Sequence, residues 1–367
     1  MSGDVILVIV IFTALAFDVT NGFHDTANVV ATAISTRALP ARPAIAAASL
    51  LNFAGAFISL KVADTVGKGF VDTHAVTTTV VFAGLVGAIA WNIITWYFGL
   101  PSSSSHALIG GLVGSTAAAA GLHSVDGSGL LGNLIVPALA APVIAFITAG
   151  LSILVVYRIV GRLRPGPTSR GFRLGQLVSS GLLALSHGTN DAQKTMGVIT
   201  LALVAHGSIP ANAFHVPTWV VIASATAIAV GTFSGGWRII RTLGARIVKM
   251  DPAQGFAAQG AGAAVILAAS SVGYPLSTTH VISGGIMGAG AGKRVSAVRW
   301  GVAGNIVTGW VLTLPAAALF GAAVDTLSGV FGTGATGPLV ITIVLLLALG
   351  ATFARRAQQA QAAPVTS

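Results

Sequence analysis

Asn21-Gly22-Phe23-His24-Asp25-Thr26-Ala27-Asn28 lies in a chain otherwise apolar enough for lipid, and it returns in altered form as Ser186-His187-Gly188-Thr189-Asn190-Asp191-Ala192-Gln193. A second motif follows each copy. Pro101-Ser-Ser-Ser-Ser-His106 comes 81 residues on, counted from Asp25 to His106, and Pro275-Leu-Ser-Thr-Thr-His280 comes 89 residues on, from Asp191 to His280. Two motifs repeated in one order are the trace of an internal duplication. A carboxylate and a hydroxyl cluster in each half of a membrane protein point to a secondary transporter whose substrate sits at the repeat interface.

Composition sets the class. Of 367 residues, 54% are hydrophobic and 8% charged, against about 25% charged in globular domains. Apolar stretches near 18 residues or longer run at 43–60, 76–98, 134–157, 215–236, 256–272, 301–323 and 338–354, the length that crosses ~30 Å of hydrocarbon as a helix. Period-two alternation, the mark of a membrane barrel, is absent. The expectation is an all-α polytopic bundle of about 10–12 transmembrane helices, tightly packed through its 46 glycines. Without cysteine, disulfides and thiolate metal sites are excluded. Met1-Ser-Gly-Asp4 lacks a basic n-region, so the first apolar run reads as a mature membrane segment.

The net charge of +10 is clustered. Arg158, Arg162, Arg164, Arg170 and Arg173 crowd one connector, Lys293, Arg294 and Arg299 another, and Arg355 and Arg356 the tail. Such clusters follow the positive-inside rule and meet lipid headgroups; no basic patch interleaved with aromatics suggests nucleic acid.

The connector 158–173 divides the chain. Residues 1–157 form a first repeat with a hairpin at about 101–121, and 174–323 a second with a hairpin at about 275–292. Residues 324–367 supply a terminal transmembrane helix and a cytoplasmic tail. Lys61–Val71 also aligns with Arg238–Val248 at a constant offset of 177. Each hairpin stretch begins with Pro, carries hydroxyls and then Gly-Gly, which predicts two half-length helices meeting at a re-entrant tip buried in protein.

Acidic residues are scarce, nine Asp and no Glu. Asp25 and Asp191 are the two with apolar context and amide or imidazole neighbours. A carboxylate near the bilayer centre costs a few kcal/mol and so needs a cation, a proton or a partner helix. Ser102–Ser105 and Ser277–Thr279 follow Pro101 and Pro275, where a helix N-terminus offers free N–H groups and positive potential to an oxyanion; N-capping uses the same donors. Intramembrane catalysis by Ser105 and His106 is disfavoured, since sequence neighbours point apart on a helix. A metal site from His24, Asp25 and His187 lacks any i, i+4 His pair. His74, His123, His206 and His215 take no role. Asp64 is the remaining candidate intramembrane carboxylate, with Lys61 or Lys68 as partner.

At these residues the chain resembles the PiT family of inorganic phosphate transporters over essentially its whole length. Gly22-Phe-His-Asp-Thr-Ala-Asn28 and Gly188-Thr-Asn-Asp-Ala-Gln193 occupy the duplicated Gly-x-Asn-Asp-x-x-Asn signature. The resemblance implies an inverted-repeat bundle with phosphate between two re-entrant hairpins. It makes Ser103, Ser104, Ser105, Thr278, Thr279 and Gln193 phosphate contacts, and Asp25, Asn28, Asn190 and Asp191 ligands of the coupling cation. Lys194, three residues after Asp191, either faces phosphate or neutralises Asp191. The family places Asn before its first Asp; this chain has His24. Imidazole is a poor Na⁺ ligand and titrates near neutrality, which favours a proton as coupling ion.

The function expected is import of phosphate, or of a neutral metal-phosphate complex, across the plasma (inner) membrane by proton symport, with no cofactor, no enzymatic activity and a homodimer as a compatible assembly. The alternatives are Na⁺ coupling, sulfate as substrate, and an anion-selective channel.

Overall fold

A computed structural model describes residues 2–160, 165–332 and 334–348. Among them every regular element is helical, with one isolated antiparallel bridge between Val71 and Val125. The first half runs α1 (Ser2–Ser35), α2 (Ala41–Gly55), α3 (Lys61–Lys68), α4 (Thr78–Phe98), α5 (Ser104–Ala120), α6 (Gly127–Leu130) and, through a π-turn at Leu131–Ile135, α7 (Val136–Val160). The second half runs α8 (Pro165–Ala205), α9 (Thr218–Ser234), α10 (Trp237–Arg241) with a π-turn at Thr242–Arg246, α11 (Pro252–Ser271), α12 (Thr278–Lys293) and α13 (Trp300–Val330). A last apolar helix, α14 (Thr336–Ala348), follows.

Local chemistry sets these limits. Thr77 caps α4 by accepting from the Val80 amide, and Gly99 ends it in the left-handed region at φ +67°. Asp251 and Gln254 form a reciprocal capping box on α11, with Pro252 at its first position.

Four segments are long and apolar enough to cross a membrane: Gly3–Ser35, Thr78–Phe98, Gly127–Val160 and Trp300–Val330. The α9–α10 pair, bent by 59°, would be a fifth. The chain is therefore an all-helical multi-pass membrane protein. Among the described residues this is four or five spans, against about 10–12 expected; helices such as α8 and α11 carry buried polar residues that lower their apolar character.

The halves interlock. α1 packs on α9 while α8 packs on α2; α13 packs on α4 and α5 while α7 packs on α11 and α12. The signature glycines sit at the crossings. A Cβ on Gly22 would meet the Ile228 carbonyl of α9 at 2.5 Å, and one on Gly188 would collide with the Asn52 carbonyl of α2. Only the absent side chain lets these backbones approach.

The hairpin expectation is corrected. The stretches 101–121 and 275–292 are not each broken in the middle: α5 and α12 run through their Gly-Gly pairs as single helices, because those glycines serve helix contact. The turns lie earlier, at 99–103 and 272–277, so the hairpins are α4–α5 and α11–α12. Helix flanks residues 161–164 of the connector on both sides, α7 ending at Val160 and α8 starting with Pro165 and Pro167 in its first turn, where amides have no intrahelical acceptor. Residues 161–164, with Arg162 and Arg164, and the tail 349–367, with Arg355 and Arg356, lie outside the described residues. Asp64 is exposed and paired with Lys68 at 2.6 Å, one of the two lysine partners expected for it.

Candidate functional site

Both signatures lie within long helices, α1 and α8, and both hydroxyl clusters lie at helix starts, α5 and α12. In each start a serine is the N-cap. Ser103 Oγ accepts from the His106 amide at 3.1 Å and Ser277 Oγ from the His280 amide at 3.3 Å. The amides of Ser104 and Ser105, and of Thr278 and Thr279, precede the first i to i−4 bond and have no acceptor within their helices. Two helix N-termini with hydroxyls thus face one region, and the tips touch: Ser105 Oγ donates to the Leu276 carbonyl at 3.3 Å, and the His106 and His280 rings meet edge to face at 4.6 Å.

Asp25, Asp191, Asn28 and Lys194 close the cluster, all buried. Thr278 Oγ1 lies 3.2 Å from Asp191 Oδ2 and 3.5 Å from Asp25 Oδ2, and Thr279 Oγ1 lies 3.4 Å from Asp25 Oδ1. Asn28 Nδ2 donates to Thr279 Oγ1 at 2.9 Å and Thr278 Oγ1 at 3.3 Å. Lys194 Nζ, 1% exposed, donates to Asp191 Oδ1 at 2.5 Å, Ser105 Oγ at 2.5 Å and the Leu276 carbonyl at 2.7 Å. A buried ammonium is thereby matched in charge and in all three of its donors.

His24 is bonded on both ring nitrogens. Nδ1 lies 2.7 Å from Asp25 Oδ1, and Nε2 lies 3.2 Å from Thr95 Oγ1 and 3.3 Å from Ser102 Oγ. Thr95 gives its proton to the Trp91 carbonyl, and Ser102 Oγ lies within reach of both Thr95 Oγ1 and Nε2, so the ring is held at both nitrogens. The 2.7 Å contact between Nδ1 and Asp25 Oδ1 is a hydrogen bond between a signature carboxylate and the imidazole beside it.

The remaining positions separate. Asn190 Nδ2 donates to Ser270 Oγ at 3.0 Å, while its Oδ1, like Asn28 Oδ1 and Ser104 Oγ, is buried with no hydrogen-bond partner. Gln193 is used elsewhere: its Oε1 accepts from the first amides of α3, Val62 at 2.8 Å and Ala63 at 3.2 Å, and its Nε2 donates to the Thr189 carbonyl. His187, given no site role from sequence beyond a metal alternative, brings Nε2 to 2.9 Å from Asp191 Oδ2. Ligand atoms of Asp25, His187 and Asp191 all fall within 4.8 Å of one another, a set able to hold a cation. The i, i+4 spacing of His187 and Asp191 was the available signal. An apolar cavity of about 530 Å³ lies behind the tips between His106, His280, Pro142 and Trp310; it offers too few polar groups for an anion.

Sequence comparison adds the following. The description "Phosphate transporter family" matches residues 21–321. The chain is 53% identical over 317 residues to a Mycobacterium tuberculosis protein named "probable low-affinity inorganic phosphate transporter", covering 86% of this chain and 76% of that one. Proteins of the same name from Rhizobium meliloti and Bacillus subtilis are 50% and 44% identical, over 86% and 87% of this chain and 95% and 96% of theirs. A solved structure described as "the sodium-dependent phosphate transporter" shares the fold, with a TM-score of 0.77 at 24% identity over 88% of this chain and 98% of that one.

Proposed function

The chain belongs to the phosphate transporter family, and from that membership we propose that it imports inorganic phosphate across the plasma membrane by cation symport, with the anion held between the tips of α5 and α12. One observation carries this: two hydroxyl-bearing helix N-termini, Lys194, Asp25 and Asp191 share one buried cluster. Phosphate entering there would take over the Lys194 donors now given to Ser105 and Leu276. It would also meet the free amides of Ser104, Ser105, Thr278 and Thr279 and the unpartnered Ser104 hydroxyl, with the hydroxyls of Ser105, Thr278 and Thr279 turning to it from their present partners. Ser103, as a cap, and Gln193, on the start of α3, support the site from behind. Carboxylates beside the anion favour a phosphate that still carries a proton over sulfate, which has none to donate.

Coupling follows from charge. A dianion cannot enter low dielectric beside two ionised carboxylates without compensation. A proton taken up by the hydrogen-bonded pair His24 and Asp25 would supply it, which is the basis for proton symport. Alternating access would rock one repeat against the other, the repeats being inverted in the membrane. Sodium coupling is the second reading, favoured by the Asp25–His187–Asp191 ligand set, with Asn28 and Asn190 contributing amide oxygens.

The test is radiolabelled phosphate uptake into proteoliposomes under imposed proton or sodium gradients, for the wild type and for His24→Asn. Proton-driven uptake by wild type, moved toward sodium by His24→Asn, is the expected result. Uptake driven by sodium alone in wild type overturns proton coupling, and uptake indifferent to both gradients overturns symport.

A further inference from the structure

Asp18 is as deeply buried as Asp191, at 0% exposure, and no basic residue pairs with it. It lies on α1 seven residues before Asp25, two turns away along the same face. Its Oδ1 accepts from Thr195 Oγ1 of α8 at 2.7 Å, and its Oδ2 has no hydrogen-bond partner. The acidic and basic groups that act on it are Asp191 and Lys194, and Lys194 has already given its three donors away. His24 and His187 are taken up by Asp25 and Asp191, and His106 packs edge-on against His280. α4 and α9, which also pack on α1, contain no acidic or basic residue and no histidine. The basic residues of the other described elements on α1, Arg42 of α2, Arg238, Arg241 and Arg246 of α10 and its π-turn, and Lys293 of α12, are exposed whereas Asp18 is buried. An ionised carboxylate in this setting would be a buried charge without a counter-charge, which proteins do not keep.

A second orphan lies beside it. Asn21 Oδ1, three residues on and on the same face of α1, is buried and accepts from no donor. Each orphan is an oxygen that only accepts, and a proton on the Asp18 carboxyl turns one of these acceptors into a donor. A metal cation would need several more oxygens than these, whereas a proton needs one.

We propose that Asp18 is a proton-binding carboxyl of the transport cycle, joined through Thr195 to the helix turn that holds Asp191 and Lys194. This rests on the proton-symport reading above and adds a second protonatable position to the pair formed by His24 and Asp25. When Asp18 loses its proton, Lys194 is the cation that can answer it, and Lys194 is also what binds Asp191 to the tip of α5. Proton release at Asp18 and rearrangement at the anion site are then linked through one ammonium.

Infrared difference spectra of the reconstituted full-length protein between acid and alkaline pH test the assignment. A titrating carboxylic-acid carbonyl band is expected in wild type, lost in Asp18→Asn and shifted in Thr195→Val, which removes only the hydroxyl donor. In proteoliposomes, proton-driven phosphate accumulation by Asp18→Asn should fall at least tenfold, with fewer protons moved per phosphate. A wild-type spectrum retained in Asp18→Asn overturns the proposal, as does an unchanged ratio of protons to phosphate. If wild type moves phosphate on sodium with no proton flux, proton symport fails, and the infrared band still decides the Asp18 site: its loss in Asp18→Asn sustains it, its persistence ends it.

Discussion

Lys194 Nζ lies 2.5 Å from Asp191 Oδ1, one helical turn away, while its other two donors reach Ser105 Oγ and the Leu276 carbonyl on opposing tips. One ammonium therefore neutralises a signature carboxylate and ties both hairpins together.

Removing that ammonium strands a buried charge. Lys194→Met should cost about 3–5 kcal/mol, the usual loss when one partner of a buried ion pair is deleted. Asp191→Asn combined with Lys194→Met should cost less than Lys194→Met alone. Thermal unfolding of the purified variants in detergent measures both, and a double variant worse than the single one would contradict the pairing.

Ser104 and Ser103 should behave differently despite being neighbours. Ser104 Oγ is buried without a partner, so Ser104→Ala should leave stability within about 0.5 kcal/mol. It should also weaken phosphate uptake by roughly tenfold or more, the value of a hydrogen bond to a charged group. Ser103 is a cap, so Ser103→Ala should lower stability by about 1 kcal/mol. Melting temperature and the KM of uptake, read side by side, separate the two roles.

Helix contact predicts a graded set of glycine variants. A Cβ on Gly114 would strike the Ala318 carbonyl, and one on Gly288 the Phe146 carbonyl, whereas Gly309 has open space around it. Gly114→Ala and Gly288→Ala should each cost roughly 1–3 kcal/mol through forced separation of helices. Gly309→Ala should be neutral or slightly stabilising, because alanine is the better helix former. Detergent stability of the three variants gives the order.

Asp251 gives a pH dependence with a defined sign. Burial raises its pKa, but bonds from the Gln254 amide, Tyr157 and Lys293 outweigh burial and leave it lowered. A lowered folded pKa adds stability above the unfolded value of about 3.9. That stability is lost as pH falls through the folded value. Asp251→Asn should therefore flatten the acid limb of a stability curve below about pH 4 and leave its neutral-to-alkaline shape unchanged.

Much of this was legible beforehand because it depended on repetition. Asp25, Asp191 and both hydroxyl clusters could be picked out as pairs; Thr278 contacts both carboxylates, and Lys194 links Ser105 to Asp191. Asp18 was overlooked: it has no counterpart in the second half, and its flanking Phe17 and Val19 resemble any apolar run. The hairpin breaks were misplaced because Gly-Gly reads equally as a bend or as a contact surface, and only the neighbouring helix decides between them. Gln193 shares the signature's pattern with the site residues, but its amide meets α3 through a fold-level approach that spacing does not encode.

Because α7 clasps the hairpin of the second half and α13 that of the first, neither half can finish its own interior. A ribosome must release nearly the whole polypeptide before the first hairpin acquires its neighbour, so the early helices wait in the bilayer for partners yet to be made.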